Sequence, residues 1–171
     1  WLSEPNAASA DLVRALYQHH LPGFLDRYGA RLAPEEIAII EDVAGSTGAP
    51  FQALQSPFAL IHIDYRLDNL LIDERAQPPR ICVVDWQSVT LGSPLHDVAY
   101  FLGAGLLPDA RRRHERELLR VYHDALAAYG VRGYPFDTLW RDYTRYSYAG
   151  YVMAVVASML VVQTQRGDEM F

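Results

Sequence analysis

Residues suited to metal-assisted phosphoryl chemistry fall in one stretch of the chain. His62, Asp64 and Asn69 stand in the spacing H-x-D-x-x-x-x-N, and Asp85 follows in Val-Val-Asp-Trp-Gln. Carboxylate and amide oxygens are hard donors. Mg²⁺ takes such donors, usually a few from protein, and completes its shell with water and substrate phosphates. A positioned carboxylate can also accept the proton of an attacking hydroxyl. Phosphoryl transfer asks for little else, because positioning and charge neutralisation do most of the work. The pattern therefore points to Asp64 as proton acceptor and to Asn69 and Asp85 as metal ligands that bridge nucleotide phosphates. Arg66 lies between them in sequence and has two readings. It neutralises transferred phosphate, or it pairs with an acid such as Asp68.

These residues need a frame that brings them together. Phe58 to Ile61 is an apolar run and predicts a short buried strand. Leu70 to Ile72 is a second run, and Ile81 to Val84 a third, rich in β-branched residues. The polar, proline-bearing segment Asp73 to Arg80 predicts a turn. Runs of similar length on either side of a turn predict a hairpin. That hairpin would return Asp85 to the side of Asn69 and close to Asp64. The spacing matches the catalytic loop and metal-binding Asp of the protein-kinase signature, with Trp-Gln in place of Phe-Gly.

HIDYRLDNLLID, VVDWQ and GSPLHDVAYFL together resemble the C-terminal lobe of the aminoglycoside phosphotransferase and choline kinase-like family. The resemblance is specific over residues 58 to 102 and general over the helices that follow. It implies a kinase-like fold and transfer of the γ-phosphate of ATP or GTP, with Mg²⁺, to a hydroxyl of a small molecule. It implies Asp64 as catalytic residue, and Asn69 and Asp85 as metal- and cofactor-binding residues. By the same resemblance His62 braces the catalytic loop, and Asp97 is a structural acid that opens the next helix. The residue between His62 and Asp64 is commonly Gly in that family and is Ile63 here.

Composition narrows the reading. The 171 residues suit a single domain, 1–171, and half of them are hydrophobic, enough for a sizeable core. The net charge of -6 argues against nonspecific binding to nucleic acid or anionic membrane. A lone cysteine, Cys82, is expected as a buried small hydrophobe, and with no disulfide partner it points to a reducing, cytoplasmic setting. All fifteen basic residues counted as Lys or Arg are arginine. A kinase-like nucleotide clamp normally uses a strand lysine beneath a Gly-rich loop. Neither motif is in this sequence, and Gly45-Ser46-Thr47-Gly48 reads as an interhelical loop. The chain also starts at Trp1 without a visible leader. The expectation is a C-terminal lobe whose N-terminal lobe lies outside these residues. Such a lobe would expose an apolar face that favours self-association.

The remaining elements are expected to be helical. A polar lead-in, residues 1 to 7, precedes a helix from about Ala8 to Tyr28 that Pro22 breaks or restarts. His19 and His20 are adjacent and so point from different faces, a poor metal pair. A second helix runs from Pro34 to Gly45 with Ile37, Ile39, Ile40 and Val43 on its apolar face, and Phe51 to Pro57 is a loop. Ser93 caps a helix over Leu95 to Leu102 with Pro94 at its first position. Another helix spans Pro108 to about Tyr129, its Arg111-Arg112-Arg113 run a solvated face. Asp137 caps a last long helix to about Gln163. Its segment Tyr146 to Val162 is nearly as long as a membrane span, but is read as a buried core helix. Tyr143, Tyr146, Tyr148 and Tyr151 are candidates for an acceptor cleft.

The fold class is thus α+β and mainly helical, the C-terminal lobe of a kinase-like fold with a small β-hairpin carrying the site. A catalytically silent lobe that binds a ligand or partner is the rival reading. A metal-dependent hydrolase would need a water nucleophile and more ligands, to which His96 could contribute.

Overall fold

A computed structural model describes residues 2, 6–45 and 57–160. It is mainly helical, with short antiparallel strands, as the patterning predicts. The loops expected at 46–48 and 51–56, most of the polar lead-in and the end of the last helix lie outside the described residues. Two compact units emerge, one within Ser56–Ser147 and the other from Pro5–Gln55 with Tyr148–Phe171.

The first unit carries the strands. β1 (Ala59–Ile61) pairs antiparallel with β4 (Thr90–Gly92), and β2 (Leu70–Asp73) pairs antiparallel with β3 (Arg80–Val83). The second pair is the expected hairpin, in register from Leu70 opposite Val83 to Asp73 opposite Arg80. The first pair, and β4 itself, was not legible from the sequence pattern. Two-stranded sheets leave faces uncovered. Leu60, Leu71, Ile72 and Ile81 are all more than half exposed, so the run Phe58 to Ile61, expected as a buried strand, is buried only in part. Only Ile61 is buried in β1. Cys82, opposite Leu71, is likewise exposed rather than buried.

Three helices complete this unit: α3 (Pro94–Gly105), α4 (Pro108–Ala128) and α5 (Phe136–Tyr146). Pro opens both α3 and α4, where its missing N–H costs nothing and its fixed φ suits a first turn. Leu95, Ala99 and Leu102, spaced i, i+4, i+7, form the buried stripe of α3 and pack with Leu119 of α4 and Leu139 and Tyr143 of α5. Burying each such leucine contributes about 1.5–3 kcal/mol. Asp137 does not cap α5. The helix starts two residues earlier than expected, at Phe136 after Pro135, and Asp137 lies in its first turn, where its charge still suits the dipole.

The second unit contains α1 (Ala7–Tyr28), α2 (Pro34–Gly45) and a terminal helical segment. Pro22 does not break α1. Proline leaves the Gln18 carbonyl without its usual donor and costs about 3 kcal/mol in a helix interior. Burial of Tyr17, Phe24 and Tyr28 on one face, against Ile40 and Val43 of α2 and Val155, offsets that cost. Asn6 and Ser9 exchange backbone and side-chain hydrogen bonds at the start of α1 as a capping box. Ile39, placed by periodicity on the buried face of α2, is 41 % exposed.

The last long helix is divided. α5 ends at Tyr146, and helix resumes as α6 (Ala149–Val152), a π-helical turn (Met153–Ala157) and α7 (Ser158–Leu160). At the break the Ser147 hydroxyl donates to the Thr144 carbonyl, competing for a group the helix ladder would use. Among the described residues no helix is long and apolar enough to cross a membrane. The four tyrosines thereby separate. Tyr143 and Tyr146 pack in the first unit's core, while Tyr148 and Tyr151 belong to the second.

Gly92 marks the tightest approach between β1 and β4. A Cβ there would run into the buried Ile61 Cδ1. Overpacking of this kind costs about 1–3 kcal/mol. Gly92→Ala is therefore expected to lower the unfolding free energy in chemical denaturation by that much, and Ile61→Val, which deletes the offending methyl, to recover part of the loss. Equal destabilisation in the two backgrounds would show that the close approach is unimportant.

Candidate active site

The site is built on the loop between β1 and β2, and its frame is the N-terminal turn of α3. Ser93 caps that helix, its hydroxyl accepting from the Leu95 N–H at 3.4 Å. Asp97 therefore stands in the first turn of a rigid helix, with its carboxylate largely buried. Its Oδ2 accepts the His62 backbone N–H at 2.6 Å and its Oδ1 accepts that of Ile63 at 2.9 Å. Hydrogen bonds to a charged acceptor contribute about 1.5–3 kcal/mol each. They hold Ile63 at φ +72, a left-handed conformation that costs an ordinary L-residue about 1–2 kcal/mol and is rare for a β-branched one. Here lies the physical meaning of an isoleucine at a position where glycine is commonest in the resembling family. The turn needs positive φ, and Asp97 enforces it.

His62 is 1 % exposed. Its Nε2 lies 2.8 Å from the Val84 carbonyl, so Nε2 carries the proton and donates, and Nδ1 has no partner among the described residues. The ring packs against Trp86 at 4.9 Å between centroids and against Tyr65 at 6.0 Å. Trp86 in turn donates its indole N–H to the Val83 carbonyl at 3.1 Å. His62 thus ties the catalytic loop to the far end of β3.

The next residue, Asp64, is partly exposed, and both of its carboxylate oxygens have neighbours. Asn69 Nδ2 donates to the Asp64 backbone carbonyl at 2.8 Å and to Oδ2 at 3.2 Å. On the other oxygen, Oδ1, the Tyr100 hydroxyl lies at 3.5 Å and Arg66 Nε at 3.3 Å. Arg66 also reaches Asp68, at 3.8 Å from Oδ2. The guanidinium thus stands between two acids, the geometry of an ion pair, yet its Nε makes no hydrogen bond. Burial, and then the charge of Asp64, push the Tyr100 hydroxyl above its ordinary pKa, so it remains a donor at neutral pH.

Asn69 is 7 % exposed and ends a 3₁₀ turn, Leu67–Asn69, just before β2. Because its amide N–H₂ is spent on Asp64, Oδ1 is the atom left for a ligand. The hairpin then brings back the chain beyond β3, where the Val84 N–H donates to the Asn69 carbonyl at 3.0 Å. Asp85 follows at once, exposed and itself left-handed at φ +64, a conformation that aspartate tolerates better than most residues. Gln87 sits exposed in the short turn Trp86–Ser88.

The structure therefore brings His62, Asp64, Arg66, Asn69 and Asp97 into one bonded set and places Asp85 next to the residue that bonds Asn69. The donor types, one amide oxygen and one exposed carboxylate, are of the kind a hard cation takes. Among the described residues no three His, Cys, Asp or Glu side chains form a metal-binding group, so His96 joins no such cluster. Its Nδ1 lies 3.5 Å from Asp97 Oδ1 instead. Sequence reasoning missed Tyr100. The available clue was its place three residues after Asp97 in a helix, which puts both on neighbouring faces.

A kinase-like catalytic loop, with its following hairpin and bracing helix, is the class that this fold and site define. Comparison with known families agrees. The chain belongs to the ecdysteroid kinase-like family, whose profile matches residues 14–130. It is also similar to acyl-CoA dehydrogenase family member 10 of Mus musculus, at 44 % identity over 57 residues. That similarity covers 33 % of this chain and 5 % of the mouse protein. No solved structure matches. The kinase-like part of the resemblance thus stands, and the family it leads to is the ecdysteroid kinase-like one.

The grip of Asp97 on a strained turn sets up a double-mutant test. Asp97→Asn leaves one acceptor where two N–H donors converge and is expected to cost about 2–3 kcal/mol by chemical denaturation. In an Ile63→Gly background, where letting go of the turn releases no strain, the same change should cost about 1 kcal/mol more. A cost independent of residue 63 would mean that Asp97 does not hold the strain.

Proposed function

We propose that this chain carries the acceptor- and metal-binding half of a phosphotransferase that moves the γ-phosphate of ATP or GTP to a hydroxyl of a small molecule. The observation that carries the reading is Asp64: a partly exposed carboxylate, held at both oxygens, on a backbone locked by Asp97. In the proposed reaction Asp64 accepts the proton of the attacking hydroxyl. Asn69 Oδ1 and the Asp85 carboxylate hold Mg²⁺, which when bound neutralises charge on the nucleotide phosphates. Arg66, whose side chain is about a third exposed beside Asp64, contacts the transferred phosphate. The fold is of the kind shared with aminoglycoside phosphotransferases and choline kinases.

The acceptor is proposed to be an apolar alcohol, and the family description points to ecdysteroid-like polycyclic ones. Surroundings of the base support this: Leu67 and Leu107 are more than half exposed, Leu67 lies against Gly105, and Tyr65 stacks on Phe101. The clamp on the α- and β-phosphates is proposed to come from an N-terminal lobe outside these residues. The uncovered faces of the β2–β3 hairpin, with Leu71 and Ile81 exposed, suit such a neighbour. A cytoplasmic setting is part of the same proposal, since ATP is available there. The rival reading, a silent lobe that binds a ligand or partner, is favoured by the lack of any lysine in the sequence.

Phosphate transfer from MgATP to a panel of hydroxylated acceptors, ecdysteroids first, separates the two readings when measured on the full-length protein. Asp64→Asn is expected to lower kcat by roughly 10²–10⁴-fold while the KM for MgATP changes little. Turnover that survives Asp64→Asn would remove the base assignment. Nucleotide binding with no transfer to any acceptor would leave the binding-module reading in its place.

A further inference from the structure

Asp97 and Tyr100 lie three residues apart on α3, close enough for their side chains to be neighbours. Asp97 uses both of its oxygens on the backbone of His62 and Ile63. Tyr100 reaches the very next residue of the loop, its hydroxyl donating to Asp64 Oδ1 at 3.5 Å. A second donor, Asn69 Nδ2, meets the other oxygen at 3.2 Å. The terminal torsion of an aspartate is otherwise broad and two-fold, so a single donor leaves the carboxylate free to rotate. Donors on both oxygens, one from α3 and one from the loop's own turn, define its plane. We propose that Tyr100 is a positioning residue, fixing the rotation of the Asp64 carboxylate while Asp97 fixes the backbone beneath it.

Arg66 does not substitute for it. Its Nε is 3.3 Å from the same oxygen but forms no hydrogen bond, so it supplies charge without direction. Tyr100 supplies direction without charge. Burial, then the charge of Asp64, keep its proton in place, with Asp68 adding to the effect and Arg66 opposing it. One helix thus sets the loop's path and its reactive group together. The assignment rests on Asp64 being the proton acceptor.

Two measurements on the whole chain test it without nucleotide or acceptor. In protein labelled at the tyrosine ring Cζ, the Tyr100 resonance is identified by its loss in Tyr100→Phe. Asp64→Asn is expected to let that resonance titrate at lower pH than in the unaltered protein, and superimposable titrations would overturn the contact. A crystal structure of Tyr100→Phe is expected to show the Asp64 carboxylate in a second rotation, with Asp97 and the loop backbone unmoved. A single unchanged rotation would overturn the positioning role. With a reactive acceptor in hand, Tyr100→Phe should lower kcat roughly tenfold with the KM for MgATP unchanged, and a change in KM alone would overturn it too. The two readings fail separately. Turnover that survives Asp64→Asn sinks the base assignment and the purpose of the contact, whereas the titration still reports whether the contact exists.

Discussion

The site depends on one carboxylate receiving two consecutive backbone N–H groups. Asp97 takes the amides of His62 and Ile63 at 2.6 and 2.9 Å, and those two donors could not point the same way in a regular strand. Their convergence requires the chain to leave β1 and turn sharply, and the left-handed φ of Ile63 is the local consequence. Strain of this size persists only where surroundings over-determine it. Here the surroundings are a charged acceptor in the first turn of a helix whose start is fixed by Ser93 and Pro94. Every later feature inherits its place from that turn: the direction of Asp64, the reach of Asn69 back to it, and the end of the hairpin.

Polar ties rather than a deep apolar core hold the hairpin side of the candidate site. The β2–β3 hairpin carries exposed Leu71, Ile72 and Ile81, so burial does little to fix it. Two hydrogen bonds do that work at its base, His62 Nε2 to the Val84 carbonyl and the Val84 N–H to the Asn69 carbonyl. Val84 is thereby bonded on both sides to the catalytic loop, and Asp85 has little freedom relative to Asn69. A buried histidine serves this purpose well. It offers one directed N–H, and its ring packs against Trp86 beside Asp85.

The placement of the candidate site residues was legible because it depends on local spacing. H-x-D-x-x-x-x-N, the hairpin between similar apolar runs, and Ser93-Pro94 before a helix are short-range patterns, and the structure follows each of them. What could not be read depended on partners distant in sequence. β4 is three residues with no alternation of its own, and exists because Ala59 to Ile61 pair with it. Pro22 sits inside α1 because Tyr17, Phe24 and Tyr28 bury against α2 and the terminal helix. The end of α5 turns on a serine hydroxyl bonding back by three residues, an event no periodicity records. Exposure was misjudged for the same reason. Leu60 and Cys82, expected to be buried, lie on two-stranded ribbons that leave them uncovered.

Ile63 shows how the two kinds of information combine. Its type alone argues against a tight turn, since a β-branched residue resists positive φ. Its neighbours argue for one, because the motif around it needs the turn to bring Asp64 and Asn69 together. The conflict is resolved 34 residues later in the chain, where Asp97 supplies enough hydrogen-bond energy to outweigh about 1–2 kcal/mol of backbone strain. A glycine would reach the same turn unaided but would leave it free to relax. Isoleucine held by Asp97 has one accessible conformation, and its return to ordinary φ would break both amide bonds at once. The residue that looks wrong for the loop therefore makes its geometry conditional on α3, which also carries Tyr100.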